Sequence, residues 1–73
     1  MMTTGEAMRA ARKDAGLSQR KLAEAANVRP NSLCQYENDQ HAPSLFAVIA
    51  LADALGITVD EYIGHRVKRR TAW

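Results

Sequence analysis

Seventy-three residues, ten of them Lys or Arg and eight Asp or Glu, give a net charge of +2 and allow a single domain. A chain this short buries only roughly 60% of the surface its unfolded form exposes, so it cannot hold a deep substrate cavity as well as a core. No apolar run reaches the ~18 residues of a membrane span, the N-terminus lacks a signal-peptide core, and the one cysteine excludes an internal disulfide, which suits a reducing, cytoplasmic compartment.

Five helices are predicted in chain order. Thr3 followed by Glu6 has the spacing of a capping box, in which each side chain satisfies the other residue's free N–H. It opens a first helix from about Thr4 to Ala15, with Ala7, Met8, Ala11 and Ala15 as the apolar stripe and Gly16 as the stop. Ser18 caps a second helix from Gln19 to about Ala25, where Leu22, Ala23 and Ala26 recur three to four apart. A break follows at Ala26-Asn27-Val28, because Asn tolerates the left-handed backbone that ends a helix. Pro30 then starts a third helix, since the N–H it lacks would be unpaired there anyway. That helix runs to Glu37, with Leu33 and Tyr36 inward and Asn31, Ser32 and Gln35 outward.

Residues 38–43 read as a polar loop with turn formers at both ends. Ser44 caps a fourth helix carrying Leu45, Val48, Leu51, Ala52 and Leu55 on one face and ending at Gly56. Thr58 with Glu61 repeats the capping-box spacing and opens a short fifth helix containing Tyr62 and Ile63, stopped by Gly64. Residues 65–73 show no amphipathic period and are expected to form a mobile basic tail. The fold class is therefore all-α: a compact five-helix bundle over residues 1–64.

The second and third helices, joined by a short turn, are the most informative stretch. The third carries amide and hydroxyl groups outward, the composition of a helix-turn-helix that reads double-stranded DNA. Charge distribution agrees. Residues 1–37 carry six basic side chains against four acidic ones. Residues 38–64 carry none against four (Asp39, Asp53, Asp60, Glu61), and Arg66, Lys68, Arg69 and Arg70 make the last nine residues basic. Such polarity orients a domain on a polyanion.

The joint order of several short motifs resembles the lambda-repressor-like DNA-binding domain, the Cro/cI or XRE helix-turn-helix family. These are Met8, Ala11 and Arg12, Gly16-Leu17-Ser18-Gln19, Leu22-Ala23, Val28, Leu33, Tyr36-Glu37-Asn38, Pro43-Ser44, residues 51–57 (Leu-Ala-Asp-Ala-Leu-Gly-Ile) and Asp60-Glu61-Tyr62. They extend from about Gly5 to Ile63. The resemblance implies that Gln19 bonds a DNA phosphate beside the N-terminal N–H groups of its helix. It also implies that Arg29, Asn31, Ser32 and Gln35 face the major groove. Their chemistry suits that role independently: Asn and Gln pair with adenine N6 and N7, and Arg with guanine O6 and N7.

Arg20 is a further phosphate candidate, and Asn38 offers its backbone or amide to another. Pro30 departs from relatives with a polar base-reading residue there and is left with an apolar contact, such as a thymine methyl. Asp39, Gln40 and His41 stand where relatives often carry Lys or Arg, so Asp39 is expected to repel phosphate. Arg12 and Glu37 occupy positions that form a partly buried ion bridge in relatives, which makes Glu37 structural.

Other chemistries find little support. Cys34, His41 and His65 reproduce no metal-ligand spacing, Cys34 has no resolving cysteine and is expected to be half-buried and inert, and the four glycines lie dispersed at helix ends, not in a phosphate loop. The expectation is a non-enzymatic, cofactor-free, sequence-specific transcriptional regulator, most simply a repressor. It would act as a homodimer, with Ile57, Val59, Tyr62 and Ile63 as the candidate dimer surface. The alternative is an antitoxin or adaptor that engages a regulatory protein partner, with DNA binding secondary or lost.

Overall fold

The computed structural model describes residues 3–64. It contains α1 (Thr4–Asp14), α2 (Gln19–Ala26), α3 (Pro30–Glu37), α4 (Leu45–Leu55) and α5 (Val59–Tyr62), with no strand among the described residues. The all-α expectation holds; four helices begin at the residue their cap predicts, and α3, which has no side-chain cap, begins at Pro30. Ser18 accepts from the Lys21 N–H and Ser44 from the Ala47 N–H, each at 3.1 Å. Both capping boxes are closed, Thr3 with Glu6 and Thr58 with Glu61. The expected tail, residues 65–73, lies outside the described residues.

Helix ends follow one rule. Asn27 takes the left-handed conformation (φ 57°), which lets the Val28 N–H reach back to the Ala23 carbonyl at 2.8 Å. After α3 the same geometry falls on Asp39 (φ 59°), and the Gln40 N–H reaches the Gln35 carbonyl at 2.9 Å. A left-handed Asp costs on the order of 1 kcal/mol, and its side-chain bonds offset that cost.

Packing closes a ring: α1 lies on α3, α3 on α2, α2 on α4, α4 on α5, and α5 back on α1. At its centre sit Met8, Leu22, Ala23, Leu33, Val48, Leu51, Ala52 and Tyr62. Burial corrects three sequence expectations. Ala15 is exposed because it is the C-cap of α1, past the last packed turn. Leu45 is 66% exposed and does not share the core face of α4. Tyr62 is fully buried, and Ile57, Val59 and Ile63 are half-buried against the same core. Those four residues close the bundle, because α5 is a single turn whose apolar side chains have α1 and α4 to cover. Tyr62 is therefore removed from the expected dimer surface, and Ile57, Val59 and Ile63 keep part of their area exposed.

Candidate nucleic-acid interface

α3 is held by what it buries. Leu33 is fully buried and Tyr36 packs against the core, which turns the opposite side of the helix outward. Asn31 and Arg29 are exposed, and Ser32 and Gln35 are half-buried. Positions 31 and 32 lie four and three residues before 35 and share one side of the helix with it. The side-chain hydrogen bonds around α3 among the described residues engage Glu37, Asn38 and Cys34, and none uses Arg29, Asn31, Ser32 or Gln35. Among the described residues their side-chain donors and acceptors are thus unspent.

Below that surface lies a buried polar cluster centred on Glu37, which is 1% exposed. Arg12 donates from Nε to Glu37 Oε2 at 2.8 Å and from its terminal nitrogen to Oε1 at 3.1 Å. Its other terminal nitrogen reaches the Leu17 carbonyl at 2.8 Å, tying the turn before α2 into the same group. Such a two-pronged guanidinium–carboxylate pair is among the stronger hydrogen-bonded arrangements. The Arg12–Glu37 bridge implied by the family resemblance is present.

Gln19 and Asn38 are drawn into this cluster. Gln19 Nε2 donates to Glu37 Oε1 at 2.9 Å, leaving its second N–H and its carbonyl oxygen available at the start of α2. Asn38 Oδ1 accepts from Arg9 at 2.6 Å, and its Nδ2 lies 3.5 Å from the Cys34 sulfur. The Asn38 amide is therefore largely engaged within the protein, although the residue is exposed. Arg20 is exposed on α2. Cys34 is a half-buried free thiol.

Asp39, expected to repel phosphate, is exposed and hydrogen-bonded within the domain. Its Oδ1 accepts from the Gly5 N–H at 2.9 Å and its Oδ2 from the Thr3 hydroxyl at 2.6 Å. The carboxylate caps the positive end of α1, where a negative charge is favoured. Bonds from Thr3 and then Gly5, helped by nearby Arg9, hold its pKa below the usual carboxylate value. Gly5 makes this contact possible: a Cβ there would lie 2.5 Å from the Glu37 carbonyl oxygen and 2.7 Å from that of Tyr36. The start of α1 thus rests directly on the end of α3.

A helix-turn-helix family model matches residues 8–62. The chain belongs to the XRE-type helix-turn-helix family. Among curated relatives, the immunity repressor protein of Bacillus phage phi105 is 43% identical over 64 residues, covering 88% of this chain and 44% of that protein. The HTH-type transcriptional regulator ImmR of Bacillus subtilis is 30% identical over 63 residues, covering 86% of this chain and 50% of that protein. The chain thus spans about half the length of the curated relatives it matches. Among solved structures, the DNA-binding domain of the P22 C2 repressor (1-76) in solution superposes with a TM-score of 0.80 at 25% identity, covering 94% of this chain and 91% of that one.

Within this helix-turn-helix domain the sequence left one residue of the site unread. Arg9 reaches Asn38 and places its Nε 3.6 Å from Glu37 Oε1, with its side chain 40% exposed. Two guanidinium groups therefore face one carboxylate, and the excess positive charge sits at the end of α3 beside Asn38. The spacing of Arg9 and Arg12, three apart on one helix side, was the available signal. Tyr62 packs under the cluster with its hydroxyl buried and without a hydrogen-bond partner among the described residues. Burial, reinforced by the Glu37 charge, pushes the Tyr62 pKa up.

Proposed function

We propose that the chain is a sequence-specific, double-stranded DNA-binding repressor that reads the major groove with α3. The observation that carries this reading is the outward, uncommitted amide and hydroxyl side of α3, held in place by Leu33 in the core and by the Arg12–Glu37 pair at its end. Asn31, Ser32 and Gln35 reach base edges, and Arg29 approaches from the turn before the helix. Gln19 bonds phosphate through its free N–H, positioned by Glu37, and Arg20 and Asn38 contribute further backbone contacts. Repression follows from occupying an operator and excluding polymerase. The chemistry is recognition, not catalysis, and needs no cofactor; a cytoplasmic location fits it.

One domain touches only a few base pairs. Two copies on half-sites about 34 Å apart supply the remaining discrimination. The immunity-repressor and transcriptional-regulator names of the relatives support a regulator of this type.

Salt titration separates this reading from an antitoxin or adaptor role. A reader making several phosphate contacts loses affinity steeply as salt rises, with a log–log slope of about −0.9 per contact, and keeps a preference for its selected sequence. A protein-interaction module shows no sequence preference at any salt, and that result would displace the proposal.

A further inference from the structure

The C-terminal end of α3 is electrostatically hostile to the polyanion that the helix is read as entering. A phosphate beside it would meet the negative end of the helix dipole and the Glu37 carboxylate. From Pro30 to Gly64 the sequence has no Lys or Arg to answer either. The neighbouring cations come from α1. Arg12 is 8% exposed and committed to Glu37 and the Leu17 carbonyl. Arg9, one turn earlier on the same side, is not committed in that way.

Arg9 donates from one terminal nitrogen to Asn38 Oδ1 at 2.6 Å. Its Nε stands 3.6 Å from Glu37 Oε1, an oxygen already taken by Arg12 at 3.1 Å and Gln19 at 2.9 Å. The rest of its guanidinium makes no hydrogen bond among the described residues, and the side chain is 40% exposed. Asp39 is the other carboxylate that feels the Arg9 charge, but its oxygens are bonded to Thr3 and Gly5. No ion pair joins Asp39 to Arg9 among the described residues.

We propose that Arg9 bonds a DNA backbone phosphate at the end of α3, so that α1 supplies the charge that α3 and its following loop lack. The inference rests on the major-groove reading given above. Three features suit Arg9 to the role. An arginine fork can serve an internal acceptor and a phosphate at once. The bond to Asn38 restrains the side chain beforehand, which lowers the ordering cost of binding. Gln19 and Arg9 approach the same Glu37 oxygen, so the start of α2 and the middle of α1 present their donors side by side. The competing role is internal: Arg9 would only hold the Asn38 amide in place.

Arg9→Gln and Arg9→Lys in the full chain, titrated against the selected duplex over a range of salt, separate the two roles. Loss of one phosphate contact reduces the steepness of the log–log salt dependence by about 0.9. Arg9→Gln is therefore expected to bind about tenfold more weakly at ~50 mM salt and only about threefold more weakly at ~200 mM. The loss should be equal on selected and random duplexes, because a phosphate carries no sequence information. Arg9→Lys keeps the charge and the parental slope. Replacing single phosphates of the duplex by neutral methylphosphonate then locates the contact: at one position per half-site the parent loses affinity and Arg9→Gln does not. An Arg9→Gln variant with the parental salt slope overturns the proposal even if its affinity falls, since Arg9 would then act only through Asn38. So does a scan in which every neutralised phosphate weakens both proteins alike. A parent chain that selects no duplex overturns the major-groove reading and this contact together, whereas either of the former results overturns the contact alone.

Discussion

Glu37→Gln keeps the shape of the side chain at the centre of the polar cluster but removes its charge and one acceptor. Glu37 is 1% exposed and Arg12 8%, so the guanidinium would stay buried with only the Leu17 carbonyl and one amide oxygen to answer it. Three donors now share the two carboxylate oxygens: two from Arg12 at 2.8 and 3.1 Å, and Gln19 at 2.9 Å. Breaking a buried pair by altering one partner costs about 3–5 kcal/mol, and the retained amide places Glu37→Gln near the lower end, about 3 kcal/mol. A domain of this size holds roughly 4–11 kcal/mol in all, so the loss is a large fraction. Urea unfolding followed by circular dichroism measures it, with the slope against denaturant unchanged. A loss below about 1 kcal/mol would refute the reasoning, since a surface ion pair is worth no more than that. Replacing Arg12 and Glu37 together by Leu should recover much of the loss, because no unpaired charge then remains.

Gly5→Ala should destabilise the chain by about 1–3 kcal/mol in the same assay. Helix propensity alone favours Ala by about 1 kcal/mol, but the new Cβ would meet two backbone carbonyl oxygens that cannot swing aside. Tyr62→Phe removes a buried hydroxyl without a partner, and should leave stability unchanged or raise it by up to about 1–2 kcal/mol. Asp39 has a folded pKa below its ordinary 3.8, so its stabilisation is present above that value and is lost as pH falls through the folded pKa. The difference in melting temperature between the parent and Asp39→Asn should therefore be constant from neutral pH to about 4 and shrink below it. Asn keeps the left-handed turn, so backbone strain does not enter that comparison.

Helix boundaries were legible in the sequence because caps are local chemistry. Ser18, Ser44 and the two Thr–Glu boxes act within three residues of themselves, and Asn27 ends α2 by its own backbone preference. The outward side of α3 was legible for the same reason, from the spacing of Leu33 and Tyr36. The role of Asp39 was not, since its partners Thr3 and Gly5 lie 36 and 34 residues away in the chain. Its charge suggested repulsion of phosphate, but its bonds to the start of α1 appear only in the packed fold. On α4 the sequence placed Val48, Leu51, Ala52 and Leu55 on the core face and missed only that Leu45 is exposed, because an apolar residue at every position from 45 to 52 blurs where the stripe begins. Tyr62 was likewise ambiguous, because a single-turn helix has too few positions to define a buried stripe.

The most direct measurement is selection of bound duplexes from a random library, run in parallel with the parent chain and with Gln35→Ala. The account predicts an enriched sequence for the parent, and for Gln35→Ala a loss of preference at one base position per half-site costing about 1–3 kcal/mol, with the other positions kept. No enriched sequence for the parent, or the same full preference in both proteins, would contradict the assignment of α3 to the major groove.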